Sequence, residues 1–273
     1  MIIDFHTHNF PDKIAASTIA LLEEHGTKAT TDGTLNGLKR SMKKAGIDMS
    51  VVLPVMTAPR QFESVNKYAS MTNGKDGIIS FGGIHPDNDD IENKLDSIKA
   101  MGLIGIKIHP DYQGVFIDDE RYIKIIRYAV QIGLYVTTHA GFDPAFPEIT
   151  RCTPERILNM LDKVYSGADI TEPRIILAHL GSLDETAKVI DMIAGKNVYL
   201  DTAVMLDKIP EEQVIELIRK HGPDKILFAT DCPWASQDKY VNIINNMNIT
   251  ESERDMITHE NALKILKKQN IAF

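Results

Sequence analysis

The sequence predicts an α/β protein, a (β/α)8 TIM barrel that occupies residues 1–273 as a single domain and ends in C-terminal helices. Three observations carry that expectation. Eight short β-like runs alternate with longer amphipathic segments along the chain. Several runs are apolar almost without interruption, as in Val51-Val52-Leu53 and Ile175-Ile176-Leu177, which suits parallel strands covered by helices rather than half-exposed antiparallel ones. Four of the runs end in side chains able to bind a metal, so those four ends are expected to converge. Barrel closure brings the eighth strand beside the first, whereas a doubly wound open sheet, the structural alternative, often holds them apart.

The strands are expected over 1–6, 50–55, 78–84, 103–109, 134–139, 174–179, 197–202 and 225–230. Helical spacing appears over 34–46, 89–101, 118–132, 154–164, 182–194 and 210–221. Ile123, Ile125, Ile126, Ala129 and Val130 form one such apolar stripe. Asp118-Asp119-Glu120 puts acids at a helix N-terminus, and Pro210-Glu211-Glu212 puts proline and acids in a first turn. Gly46, Gly102, Gly133 and Gly222 follow helical runs where a left-handed cap is expected. Residues after 248 are expected to form terminal helices over 251–258 and 260–269.

Composition narrows the function. At 273 residues the chain is a little longer than the roughly 250 of one such barrel. A formal net charge of -8 argues against nucleic acid or an anionic membrane as the main partner, while leaving room for a local basic pocket for an anionic small molecule. No apolar run approaches the ~18 residues of a membrane span. The opening Met1-Ile2-Ile3-Asp4 lacks a basic n-region, so no signal peptide is expected. With only Cys152 and Cys232, a reduced cytoplasmic compartment is the expectation.

The chemistry lies at the strand ends. His6 and His8 alternate on one extended segment, so both imidazoles face one way and can reach a single ion. His139, His179 and Asp231 end three further apolar runs, at the edge where catalytic groups of a barrel assemble. Nitrogen ligands with one carboxylate favour zinc, with iron, manganese and nickel as competitors. Asp231 can ligate the ion or hold a water as general base, and His179 is placed to handle a proton or polarise a substrate oxygen.

With these residues the chain resembles the amidohydrolase superfamily, in the amidohydrolase-related branch that includes aminocarboxymuconate-semialdehyde decarboxylase-like enzymes. The resemblance rests on Asp4-Phe5-His6-Thr7-His8, Phe81-Gly82-Gly83-Ile84-His85-Pro86, Gly105-Ile106-Lys107-Ile108-His109-Pro110, Thr138-His139-Ala140-Gly141, Ala178-His179-Leu180-Gly181 and Ala229-Thr230-Asp231-Cys232-Pro233-Trp234. It implies His6, His8, His139 and Asp231 as ligands of one divalent ion, a proton-handling or substrate-polarising role for His179, and a homodimer. Some relatives carboxylate a lysine of the fourth strand and bridge two metals with it. Lys107 occupies that strand, but the branch this chain resembles generally works with one metal, so a cation facing a carboxylate or an anionic substrate is the expected role of Lys107.

The remaining candidates are secondary. His85 and His109 each precede proline at a strand end, where loop anchoring and site lining are equal readings. Arg60 and Arg151 are candidates to grip a substrate carboxylate, and Trp234 to form a pocket wall. His25, His221 and His259 read as surface residues and Cys232 as core. The leading expectation is a metal-dependent hydrolase that directs activated water at a small amide, lactone or cyclic ester. Its alternative is non-oxidative decarboxylation of an unsaturated or aromatic carboxylic acid. A DNase of the TatD type fits poorly, because Lys107 stands where that group carries a glutamate ligand. A barrel that binds a ligand without turnover is the non-enzyme reading.

Overall fold

The computed structural model describes residues 1–166 and 172–268. Every run expected as a strand contains one: β1 (Ile3–Thr7), β2 (Met49–Val52), β3 (Ile78–Ser80), β4 (Gly82–Gly83), β5 (Gly105–Ile108), β6 (Tyr135–Thr138), β7 (Ile175–Leu177), β8 (Tyr199–Asp201) and β9 (Ile226–Leu227). The expected run 78–84 is split in two at Phe81. There the Asn66 side chain takes over backbone pairing, accepting from Gly83 N and donating to Gly83 O, both at 2.9 Å.

The chain divides into two compact units. The first comprises Met1–Val52, Gly74–Ile79 and Asp201–Phe273. In it β1 pairs in parallel with β2, in the register Ile3↔Met49 and Asp4↔Ser50. On its other edge β1 meets the segment that continues β9. Phe5 N donates to Phe228 O at 2.8 Å and Asp231 N donates to His6 O at 2.8 Å. Two strands buried on both faces thus run side by side and carry His6 and Asp231 at their carboxyl ends. The helix Gln237–Asn246 packs on Leu35–Ala45, whose Thr34 cap accepts Gly37 N and whose C-terminal Gly46 is left-handed at φ 70°.

The second unit comprises Leu53–Asn73 and Ser80–Leu200. Here β4, β5, β6, β7 and the first residues of β8 pair in parallel in chain order, through Ile106↔Val136, Val136↔Ile175 and Ile176↔Tyr199. Chain-ordered parallel strands need a covering segment at each crossover. Ile91–Ala100, Glu120–Gln131 and Pro154–Tyr165 supply the first three, the last two capped by Asp119 and Thr153, and the helical turns Thr186–Lys188 and Val189–Ile193 supply the fourth. The predicted stripe of Ile123, Ile125, Ile126, Ala129 and Val130 is buried throughout.

Among the described residues, three helices of ten residues or more lie outside the expected set. Asp12–Glu23 buries only Ala15, so it carries no apolar periodicity to read. Phe62–Thr72 buries Asn66 and Thr72 beside Phe62 and Ala69, which hides its stripe. Gln237–Asn246 buries Gln237, Tyr240, Val241 and Ile244 at helical spacing, a signal that was present. The C-terminal region forms one helical run, Glu251–Asp255, Met256–Glu260 and Asn261–Lys268, in place of two separate helices, and residue 269 lies outside the described residues. His221 is corrected from surface to core: at 2% exposure it shares a buried stripe with Val214, Leu217 and Ile218. His25 is exposed and His259 half-buried. Cys152 and Cys232 are free and fully buried, as core residues. Among the described residues no helix is long and apolar enough to cross a membrane.

Candidate functional site

Strand alternation does what the sequence promised in the first unit. His6 Nε2 and His8 Nε2 lie 3.2 Å apart at the end of β1. Asp231 Oδ1 is 2.9 Å from His8 Nε2 and 3.4 Å from His6 Nε2. Asp231 reaches them from a left-handed backbone at φ 72°, a conformation aspartate tolerates better than most residues. Its carbonyl accepts Trp234 N at 2.7 Å, which ties the half-buried Trp234 to the same turn.

The trio has the character of a metal site. His6 Nδ1 donates to Asp201 Oδ2 at 2.9 Å, and Asp201 is fully buried. That bond fixes the proton on Nδ1, so the lone pair of His6 Nε2 faces the Asp231 carboxylate. Two acceptors 3.4 Å apart repel unless a proton or a cation sits with them. Two imidazole nitrogens and a carboxylate oxygen, all buried, form a donor set that divalent zinc and manganese accept.

Asp4 braces this end of the unit. Its carboxylate accepts Thr230 Oγ1 at 2.6 Å, Gln237 Nε2 at 2.7 Å, Thr230 N at 3.0 Å and His6 N at 3.3 Å. Burial pushes its acid up to about 7 against these donors.

A second cluster stands in the other unit. His179 Nε2 lies 2.9 Å from His139 Nδ1. The His139 ring stacks on His109 at 4.2 Å with planes 11° apart, and His109 Nε2 is 3.4 Å from Asp143 Oδ2. The ligand atoms of His109, His139 and Asp143 lie within 4.8 Å of one another. Stacked rings send their in-plane lone pairs along parallel lines, however, so this trio suits an aromatic wall better than one shared ion. Tyr112 meets the edge of His109 at 4.8 Å and of Phe146 at 5.0 Å. Asp111, fully buried as a side chain, lies 3.6 Å from Arg151 Nη1. Burial is the main cause that pushes its acid up to about 6.

The other candidates separate clearly. Lys107 is fully buried on β5 in register with Thr137. His85 is buried and accepts Asp87 N at 3.1 Å, an anchor of its own loop, and burial holds its imidazole below the usual range. Arg60 is exposed and lines a recess with Glu63, Asp87, Asp89 and Lys94 that includes none of the clustered histidines. Asp201, Asp111, Tyr112 and Asp143 escaped sequence reasoning. Only Asp201 carried a usable signal, as the acid that ends the apolar run Val198-Tyr199-Leu200.

A family model described as amidohydrolase matches residues 3–268. No curated protein matches the sequence. Among solved structures, the chain is similar to an uncharacterised TIM-barrel protein from Bordetella bronchiseptica, with TM-score 0.73, 16% identity, and 98% and 99% of the two chains covered. A 2,6-dihydroxybenzoate decarboxylase from Rhizobium gives TM-score 0.74 at 16% identity, covering 98% of each chain. A dihydroxybenzoic acid decarboxylase from a Polaromonas species, solved with manganese and the inhibitor 2-nitroresorcinol, gives 0.71 at 14% identity, covering 97% and 96%. At these identities the likeness carries the fold, and the fold is the expected (β/α)8 barrel.

Proposed function

The chain belongs to the amidohydrolase family, and from that premise we propose that it is a metal-dependent carboxy-lyase that releases carbon dioxide, without oxidation, from an aromatic or unsaturated carboxylic acid. The observation that carries the reading is the buried, convergent trio of His6, His8 and Asp231, with Asp201 behind His6. Decarboxylation replaces hydrolysis as the leading reaction because the similar structures named for a reaction are aromatic-acid decarboxylases, one of them holding manganese. The aromatic side chains around His109 and Tyr112 also suit a flat ring. Hydrolysis of an amide, lactone or cyclic ester stays as the second reading, on the strength of the family description.

In this account one divalent ion, zinc or manganese, is held by His6, His8 and Asp231. His139 as a further ligand rests on the family resemblance, as does a second ion bridged by a carboxylated Lys107, which has less support. When bound, the ion supplies Lewis acidity toward the oxygens of the substrate. The chain's own residues do the rest. Asp201 fixes the His6 tautomer. The bond from the carboxyl carbon to the ring carbon breaks, and the electron pair left on the ring carbon takes up a proton. His179, paired with His139 at 2.9 Å, is the group proposed to deliver it.

The test is a substrate panel offered to manganese- and zinc-loaded protein, containing dihydroxybenzoates, salicylate, aryl amides and lactones. Release of carbon dioxide with the matching arene supports the proposal. Hydrolysis of an amide or lactone with no carbon dioxide from any acid overturns it in favour of the second reading.

A further inference from the structure

The two segments that carry His6 and Asp231 do not meet as a regular ladder. Phe5 N donates to Phe228 O at 2.8 Å, but three residues beyond Phe228 the chain is left-handed, at φ 72° on Asp231. A strand that turns this way points amides off its neighbour's carbonyls, and buried amides need other acceptors. Side chains supply them. Thr230 N donates to Asp4 Oδ1 at 3.0 Å, and Cys232 N donates to Thr230 Oγ1 at 3.1 Å. Between them, Asp231 N donates to His6 O at 2.8 Å.

Asp4, on β1, is where these bonds meet. Its Oδ1 accepts Thr230 N and also, at 3.3 Å, His6 N. Its Oδ2 accepts Thr230 Oγ1 at 2.6 Å and Gln237 Nε2 at 2.7 Å. One carboxylate oxygen therefore holds both the amide of His6 and the amide just before Asp231. With donors on both oxygens, the group cannot rotate without breaking bonds at each end. Asp4 and Thr230 are fully buried, so bulk water does not replace a bond that is lost.

We infer that Asp4 and Thr230 are positioning residues, a hydrogen-bonded clamp that sets the spacing of His6 and Asp231 and so the shape of the cage that receives the ion. They act through the two backbones and not on substrate. Asp201 decides which nitrogen of His6 carries the proton, whereas the clamp decides where the ligand-bearing segments stand. The 3.4 Å between His6 Nε2 and Asp231 Oδ1 is the distance it governs. The inference rests on the metal-site part of the proposed function and holds equally for decarboxylation and hydrolysis.

The experiment titrates metal-free protein with cobalt(II), reading both the dissociation constant and the visible absorption, which reports coordination geometry. Thr230→Val, close in shape but without the hydroxyl, is expected to weaken cobalt(II) at least ~10-fold and to change the absorption band. Thr230→Ser restores both. Asp4→Asn, which places an amide among converging donors, moves both readouts as the valine does and serves if that variant does not fold. Thr72→Val removes a buried, hydrogen-bonded hydroxyl in the other unit and leaves both unchanged. Wild-type affinity and absorption in Thr230→Val and Asp4→Asn overturn the clamp, while cobalt uptake by wild type keeps the metal site. Weaker binding with an unchanged band and no rescue by serine also overturns it, as a general loss of stability. Wild type that takes up no cobalt(II) removes the metal reading and the clamp with it.

Discussion

Asp201→Asn is the sharpest perturbation the site offers, because it changes one atom in a fully buried group. Asp201 spends both oxygens: Oδ2 accepts His6 Nδ1 at 2.9 Å, and Oδ1 accepts Ala203 N at 3.1 Å. An asparagine has one acceptor oxygen. If that oxygen serves Ala203, the amide nitrogen faces His6 Nδ1, and the ring proton must move to Nε2. Nε2 is the atom 3.2 Å from His8 Nε2 and 3.4 Å from Asp231 Oδ1, so a proton there blocks the lone pair needed for a metal. If the oxygen serves His6, two donors meet at Ala203. Either arrangement loses a hydrogen bond involving a charged group, about 1.5–3 kcal/mol. Removing such a partner behind a metal-binding histidine typically costs 10–100-fold in affinity, about 1.4–2.8 kcal/mol. A competition titration with a fluorescent chelator, run with zinc and with manganese, should show a loss in that range. An unchanged dissociation constant in a variant that melts like wild type refutes the reasoning.

Three further outcomes are expected. His179→Ala retains its metal and loses turnover by at least ~100-fold, read by elemental analysis beside a carbon dioxide assay; loss of metal would make His179 a ligand instead. Gly105→Ala drives a methyl group into the Phe81 ring and lowers stability by about 1–3 kcal/mol in denaturant unfolding. Gln237→Leu removes one of the donors on the buried Asp4 carboxylate and costs about 1–3 kcal/mol by the same measurement, while a silent Gln237 would mean that Asp4 needs fewer donors than it has.

The strands, and the residues that converge at the end of β1, were legible because each is written locally. Continuous apolar runs give buried parallel strands, and a histidine or aspartate at the end of such a run is conspicuous. His6 and His8 declare themselves by alternation alone. Asp201 carried a signal, as the acid that ends an apolar run, but only its 2.9 Å contact with His6 says what it does there. Asp111 and Tyr112 sit in the four-residue helix Pro110–Gln113 and Asp143 in the loop after His139, segments too short or irregular to carry a period. His221 misled because a polar residue in a last helical turn reads as exposed, while the Val214, Leu217 and Ile218 stripe carries it inward. The choice between hydrolysis and decarboxylation was beyond the sequence for a chemical reason. Both proposed reactions call on the same ion and the same histidine.

The most direct test of the account is the metal content of the protein purified without chelator, compared with a His6→Ala, His8→Ala double variant. The account predicts about one equivalent of a divalent ion per chain in the wild type and essentially none in the double variant. A wild type that neither contains nor takes up an ion, or a double variant that keeps its full complement, would contradict it.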